Sequence, residues 1–348
     1  MKNKTVSENE LFFFKVPGFF DWIKTKKGRE YSESRTEDAT VESYRDALTI
    51  FKRFILEKTD YRIMTFRFTD CTRDLLLDYK EYLQKSGRAP RTINHRLAAI
   101  KAYLWFVADD DLAVQSVAIM ASNISGVDEP KGVRERLTEE DLLLLFSAPK
   151  NNKIGIRDQT IMILLYDSAI RVSELTDLNV GNIGKADDGY YVRIRGKGNK
   201  QRDVGITQKT AEHLERYKTI YNPDADRDDP LFYTVRKEIK TRMSTGNVER
   251  IIKKYADQVR EISSTIPDSV YPHMLRRTRS TNMYQNGVPL DLISRTLGHS
   301  QIETTRKSYA VPSQKTLREA QSSTGLNVEV PEWITEDDDK IAKRLGLR

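Results

Sequence analysis

YPHMLRRTRSTNMYQNGVPLDLISRTLGHSQIETTRKSYAV, residues 271–311, is the stretch from which the rest of the chain can be read. It holds two of the four histidines, His273 and His299, with Arg276 between them and Tyr309 near its end. Pro272 suits the first position of a helix, where an N–H would go unused anyway. Gly287, after Asn286, suits the left-handed position beyond a helix end. One helix therefore fills the interval, with His273 and Arg276 three residues apart on one face. Pro289 opens a second helix whose apolar stripe is Leu290, Ile293 and Leu297, and Gly298 closes it. Ser300-Gln301-Ile302-Glu303 has the form of a capping box. The helix it starts has Ile302, Thr305 and Tyr309 on one side. With Ile302 packed inward, Tyr309 also points toward the body of the protein, and His299 is held at the tight turn between helices. Two imidazoles, a guanidinium and a phenol then share one space. Taken singly, each piece fits an ordinary structural role, so the order of motifs upstream has to decide.

The chain of 348 residues has room for two domains and a sizeable core. Its net charge is +7, with both signs abundant. That moderate basic excess suits a polyanionic partner without requiring one. Cys71 is the single cysteine, so no internal disulfide forms; the chain belongs in a reducing compartment or simply does without disulfides. No cysteine/histidine cluster has zinc spacing, and neither a metal nor a cofactor is expected. The early apolar run Leu11–Ile23 is broken by Lys15, Pro17, Gly18 and Asp21. It is too short for a membrane span and lacks the shape of a secretion signal. The expectation is a soluble, cytoplasmic protein with no membrane partner.

Residues 1–35 are polar around an aromatic island, Phe12-Phe13-Phe14 with Phe19, Phe20 and Trp22. They read as an arm that packs on the body or on a neighbouring subunit, or equally as a local helix folded back on its own domain. Residues 36–115 form a small helical domain. Thr40 caps a helix with the stripe Tyr44, Leu48, Phe51 and Ile55, and a second helix spans Thr72–Gln84. The third, Pro90 to Phe106, buries Ile93, Leu97, Ile100 and Leu104. Its opposite face carries Arg91, Asn94, His95, Ala98 and Lys101. Such a face suits a DNA groove, with Arg and Lys on phosphates and Asn or His near base edges; it is also the pattern of a solvated surface. Residues 116–134 read as a linker. Val114 to Gly132 lacks a long periodic pattern, and Gly126, Pro130 and Gly132 punctuate its end. Two basic lobes on a linker suit a clamp around a duplex.

The second domain runs over 135–321. Thr138 caps its first helix, with acids in the first turn. Ile161–Ile170 is an apolar, buried helix running into Arg171, and Glu174 three residues on can pair with it. Tyr190–Arg195 and Gln201–Ile206 alternate as the strands of a hairpin whose turn, Gly196–Lys200, leaves Lys197 unobstructed at the tip. Helices continue over Thr210–Tyr217 and Asn247–Tyr255. The tail, 322–348, holds a short helix within Trp333–Leu347, with acids first and Lys343 and Arg344 last. It packs in trans on a neighbour or in cis.

In order and spacing, Arg171, Glu174, Lys197, His273, Arg276, His299 and Tyr309 resemble the tyrosine recombinase (integrase) family, close to its Xer-like branch. The matching text is SAIRVSELTDLNV, RIRGKGNKQRDVGI and HMLRRT…NGVPLDLISRTLGHSQIETTRKSY. The helical domain resembles the family's SAM-like core-binding domain, so the likeness covers roughly residues 36–315.

The resemblance implies a mainly α fold with a small antiparallel β-hairpin or sheet in the second domain, as a two-lobed DNA clamp. It implies site-specific DNA strand exchange through a covalent 3′-phosphotyrosine, for integration or excision of a mobile element or for dimer resolution. Tyr309 would be the nucleophile, with His273 sharing its proton. Arg171 and Arg276 would hold the nonbridging phosphate oxygens. Lys197 would protonate the departing 5′ oxygen, His299 would donate to the phosphate, and Glu174 would orient the site. Lys200, Arg277 and Arg279 would add DNA contacts to those of Arg91, Asn94, His95 and Lys101. Also implied are double-stranded DNA as partner, a homotetramer on two DNA sites, possible accessory proteins, and association with the nucleoid.

Two departures stand out. Arg277 and Arg279 replace the commoner histidine and an aromatic or small residue, and Tyr309 lies ten residues after His299 where many members have nine. Tyr284, in mid-helix, is the nearest rival tyrosine and fits no family position. Two other readings remain: a type IB topoisomerase-like enzyme that relaxes DNA without pairing sites, and a non-catalytic DNA-binding regulator on the same fold. The intact catalytic set argues against the regulator.

Overall fold

The computed structural model describes residues 8–28, 36–129, 135–196, 201–298, 303, 306 and 338–347. The chain divides into two compact units: residues up to Arg134, with Arg195, Gly196 and Gln201, group in the first, and the other described residues from Glu135 onward in the second.

The first unit is built from α1 (Val16–Gly28), α2 (Thr36–Lys58), α3 (Arg73–Lys85), α4 (Pro90–Ala108) and α5 (Leu112–Ser122). Local chemistry sets the starts: the Thr72 hydroxyl accepts from the Leu75 N–H, the Asp111 carboxylate accepts from the Ala113 N–H, and Pro90 fills the first turn of α4. Leu48, Phe51 and Ile55 of α2 are buried, as are Ile93, Leu97, Ile100 and Leu104 of α4. Ala99, Tyr103 and Val107 are buried too, because α4 packs against α1, α2, α3 and α5 at once.

Two expectations for this unit are decided. Of the two readings of the N-terminal segment, the helix folded back on its own domain is the one seen over residues 8–28, where Phe12 and Phe19 are fully buried. The Phe12 ring lies 5.1–5.3 Å from those of Phe13, Phe51, Phe66, Phe68 and Tyr103, and the Tyr103 hydroxyl donates to the Phe12 carbonyl. Each such ring removes on the order of 150–250 Å² from water, enough to hold the segment on its own unit. The second concerns α5, which occupies the start of the expected linker. It buries Val114, Ala118 and Ala121, but Leu112 and Ile119 on its other faces are apolar and exposed, so no one-sided stripe marks it in the sequence. Cys71 is buried in this core, and burial, with the nearby Asp70 charge, pushes its thiol up to about 12.

The second unit holds α6 (Glu139–Ser147), α7 (Lys153–Ser168), α8 (Val172–Thr176), α9 (Gln208–Tyr221), α10 (Thr245–Arg260), α11 (Pro272–Gln285) and α12 (Leu290–Leu297). Thr138, Asn152, Thr207 and Ser244 cap α6, α7, α9 and α10 through their side chains. A three-stranded sheet runs in the order β1 (Ile183–Ala186), β2 (Gly189–Arg195), β3 (Gln201–Ile206). β1 and β2 are antiparallel, with Ile183 opposite Val192 and Ala186 opposite Gly189. Val192, Ile194, Val204 and Ile206 face the core, while Arg193 and Asp203 pair on the outer face at 2.9 and 2.8 Å. A second antiparallel pair, β4 (Tyr233–Arg236) and β5 (Ile239–Arg242), stands apart. The fold is mainly α with small antiparallel sheets. Asp338–Arg344 is helical, with acids in its first turn and bases in its last. Among the described residues no helix is long and apolar enough to cross a membrane.

Candidate active site

α7 ends at Ala169, which takes the left-handed conformation (φ 51°) and turns the chain back toward α8. The next residue but one, Arg171, is the N-cap of α8, and its N–H donates to Glu174 Oε2 at 2.7 Å. Its guanidinium reaches the same carboxylate, 3.0 Å from Oε1. The expected pair therefore forms, as a capping box reinforced by charge. The two partners differ in access: the Arg171 side chain is 43 % exposed and that of Glu174 only 7 %.

Glu174 has a second guanidinium on it. Arg202, at the start of β3, donates to Oε1 and Oε2, both at 3.0 Å, and its Nε donates to the Thr296 carbonyl at 3.2 Å. Burial alone pushes the Glu174 carboxyl up; the hydrogen bonds and charge of Arg202, then the N–H and charge of Arg171, more than reverse this and hold it below the usual carboxylate range. The sequence reading missed Arg202. The signal was present, since alternation along β3 places Arg202 on the same face as buried Val204 and Ile206. A charge on the buried face of a strand demands a partner.

Arg276 comes from the second turn of α11, after Pro272 sets the helix start. Its residue exposure is 1 %. NH1 donates to the Ala169 carbonyl at 2.8 Å and NH2 to the Leu297 carbonyl at 2.7 Å. Those carbonyls lie at the C-terminal ends of α7 and α12, where the helix dipole favours a cation. NH1 also lies 3.9 Å from Glu174 Oε2, so one carboxylate faces three guanidiniums. α12 is positioned as its stripe predicts, with Ile293 and Leu297 fully buried beside Ala169, and Gly298 ends it at φ 63°. Tyr284, the rival tyrosine, packs against this small cluster. His273, one turn before Arg276, is exposed. Lys197, Lys200, His299 and Tyr309 lie outside the described residues, as does the capping box at Ser300.

The expected DNA contacts separate into two kinds. Arg91 and His95 are exposed on α4, with His95 Nε2 2.6 Å from the Ser43 hydroxyl. Asn94 and Lys101 are not on an open face. Asn94 exchanges hydrogen bonds with the Val127 N–H (2.7 Å) and carbonyl (2.9 Å), and Lys101 Nζ donates to the Ile124 carbonyl at 2.6 Å. They hold the chain that follows α5, which a helical wheel cannot show. Arg277 is buried, bonded to the Glu135 carbonyl and stacked 6.0 Å from the Tyr271 ring centroid. Arg279 is tied to Asp167, with NH2 3.2 Å from Oδ1. Both are held by the fold, Arg277 through the Glu135 carbonyl and the Tyr271 hydroxyl and Arg279 through Asp167.

Residues 135–315 match the phage integrase family and residues 18–106 the phage integrase SAM-like domain. The chain belongs to the phage integrase family. It is a tyrosine recombinase, an enzyme of site-specific recombination. It is 31 % identical over 242 residues to the tyrosine recombinase XerC of Chlamydia caviae, covering 68 % of this chain and 73 % of that one. With the tyrosine recombinase XerA of Pyrococcus horikoshii it shares 30 % identity over 253 residues, covering 73 % and 80 %. Its fold is similar to that of the XerH site-specific recombinase bound to its difH substrate in a pre-cleavage complex, with a TM-score of 0.64 at 15 % identity, over 94 % of this chain and all of that one. It is also similar in fold to a lambda integrase dimer bound to a COC′ core site, with a TM-score of 0.58 at 16 % identity, over 90 % and 80 %.

Proposed function

We propose that this recombinase cuts and rejoins double-stranded DNA through a 3′-phosphotyrosine on Tyr309, as a homotetramer that pairs two DNA sites. The observation that carries the reading is the guanidinium cluster around Glu174. A phosphodiester in its transition state gathers negative charge on the nonbridging oxygens. Arg171 meets it as the exposed guanidinium, with only one of its side-chain N–H groups on Glu174. Arg276 supplies fixed positive charge from beneath, clamped by two helix ends. His273, on the exposed side of the same helix, shares the proton of the attacking phenol. Lys197 protonates the departing 5′ oxygen and His299 donates to the phosphate. The covalent link conserves the phosphodiester's energy, so the cycle runs without ATP.

DNA is gripped by the two units, with Arg91 and His95 of α4 on the first. We assign the first unit, through the end of α5, to core binding and residues 135–321 to catalysis. The setting is the cytoplasm, on the nucleoid, in the movement of an element or the resolution of dimers, with or without accessory proteins.

The test is covalent trapping. The protein is incubated with nicked duplexes drawn from DNA flanking its own gene, denatured in SDS and resolved, with Tyr309→Phe alongside. The reading expects a protein–DNA adduct from the wild type and none from the variant. Tight binding with no adduct supports a non-catalytic binder. An adduct without strand exchange between two duplexes supports a topoisomerase-like enzyme.

A further inference from the structure

Arg202 takes no part in the reaction as proposed, yet it makes more contacts with Glu174 than Arg171's own guanidinium does. We infer that Arg202 is a positioning residue: by occupying Glu174 it keeps the Arg171 guanidinium open for the scissile phosphate. The inference rests on the recombinase reading.

The carboxylate can accept only a limited number of hydrogen bonds. Oε1 accepts from Arg171 NH1 and Arg202 NH1, and Oε2 accepts from the Arg171 N–H and Arg202 NH2. Two bonds on each oxygen fill the lone pairs available. Glu174 therefore has no acceptor left for a second Arg171 side-chain bond, and the rest of that fork stays open. Without Arg202, Glu174 is free to form the two-pronged pair with Arg171 that these groups prefer, or to close the 3.9 Å gap to Arg276. Pairing with Arg171 draws its guanidinium away from the phosphate, and closing on Arg276 offsets that residue's fixed charge. With Arg202 present, three guanidiniums face one carboxylate, so the cluster remains strongly positive.

Arg202 is itself fixed on several sides. Its Nε is on the Thr296 carbonyl, and its side chain is only 17 % exposed. A Cβ at position 298 would stand 2.9 Å from its Cζ, so the guanidinium lies where only glycine leaves room. It stands five residues after Lys197 and packs on the residue before His299 in the sequence. The return strand of the lysine hairpin is thereby tied to the arginine cluster through one side chain.

The test uses the full chain with Arg202→Gln and Arg202→Lys. Single-turnover cleavage is measured on a nicked duplex and on the same duplex with a methylphosphonate at the scissile position, alongside binding affinity and melting temperature. A neutral methylphosphonate oxygen depends less on a free guanidinium. The expected result for Arg202→Gln is about a 10- to 100-fold slower cleavage of the phosphodiester, with affinity retained and a much smaller deficit on the methylphosphonate. Arg202→Lys keeps the buried charge without the two-pronged geometry and shows a partial deficit with the same relief. It carries the comparison should Arg202→Gln fail to fold. Equal deficits on both substrates, or none, overturn the inference while leaving the recombinase reading intact. Absence of an adduct from the wild type overturns both.

Discussion

Replacing Glu174 with glutamine keeps the shape and removes the charge around which three arginines are arranged. The carboxylate accepts four hydrogen bonds, at 2.7, 3.0, 3.0 and 3.0 Å. A glutamine carbonyl retains two of these and turns its NH₂ donors toward a guanidinium. Two charge-assisted bonds are lost, each worth about 1.5–3 kcal/mol. That agrees with the roughly 3–5 kcal/mol expected when a buried ion pair loses one partner. For a unit of this size, about 2–4 °C of melting temperature accompanies each kcal/mol, so Glu174→Gln lowers the second unit's transition by about 10 °C.

The pH dependence has a definite sign. The folded carboxyl sits below its usual range, so its contribution is complete above the unfolded value near 4.5 and is lost as the pH falls toward the folded one. The gap between wild type and Glu174→Gln is therefore constant at neutral pH and closes on acidification. Urea unfolding at neutral and acid pH, followed on the second unit, measures it. A variant as stable as the wild type at neutral pH, or a gap that widens in acid, refutes the reasoning.

Phe12→Ala empties a fully buried ring site and destabilises the first unit by about 3–5 kcal/mol, leaving the second unit's transition in place; calorimetry resolves the two. Ala169→Val puts a β-branched residue at φ 51° and displaces the carbonyl that holds Arg276. Stability falls by more than about 1–2 kcal/mol, and trapping assays show slower cleavage. Arg91→Ala weakens DNA binding and reduces the slope of log affinity against log salt by about one. Lys101→Met leaves that slope unchanged and instead exposes the chain after α5 to protease, because Lys101 holds the Ser122 and Ile124 carbonyls.

What the sequence showed and what it hid follow from the range of the interactions. Helix ends written in local chemistry were readable: Thr72, Thr138, Pro272, Gly287 and Gly298 each stand where the caps and stops fall. The Arg171–Glu174 pair was readable for the same reason, being three residues apart. Arg202 was not, since it meets Glu174 across 28 residues and its only local trace is a charge on an inward-facing strand position. α4 shows the same limit from the other side. Its polar face was identified, but whether Asn94 meets solvent or Val127 depends on a segment 33 residues away. The aromatic N-terminus had the composition of a docking segment, and only the neighbouring rings show that it docks on its own unit. Arg277 and Arg279 read as surplus charge for phosphate, while their partners Glu135 and Asp167 lie more than a hundred residues upstream.

In the proposed reaction Tyr309 takes the phosphate. The most direct measurement of this step is the site and chemistry of the bond in the trapped adduct. After nuclease and trypsin digestion, mass spectrometry is applied to the peptide Ser308–Lys315, and the released DNA strand is tested for a free 5′ hydroxyl by kinase labelling. A nucleotide 3′-phosphate on that peptide and a 5′ end that accepts label are expected. A nucleotide on the peptide carrying Tyr284, or a 5′-linked adduct, contradicts the proposed reaction.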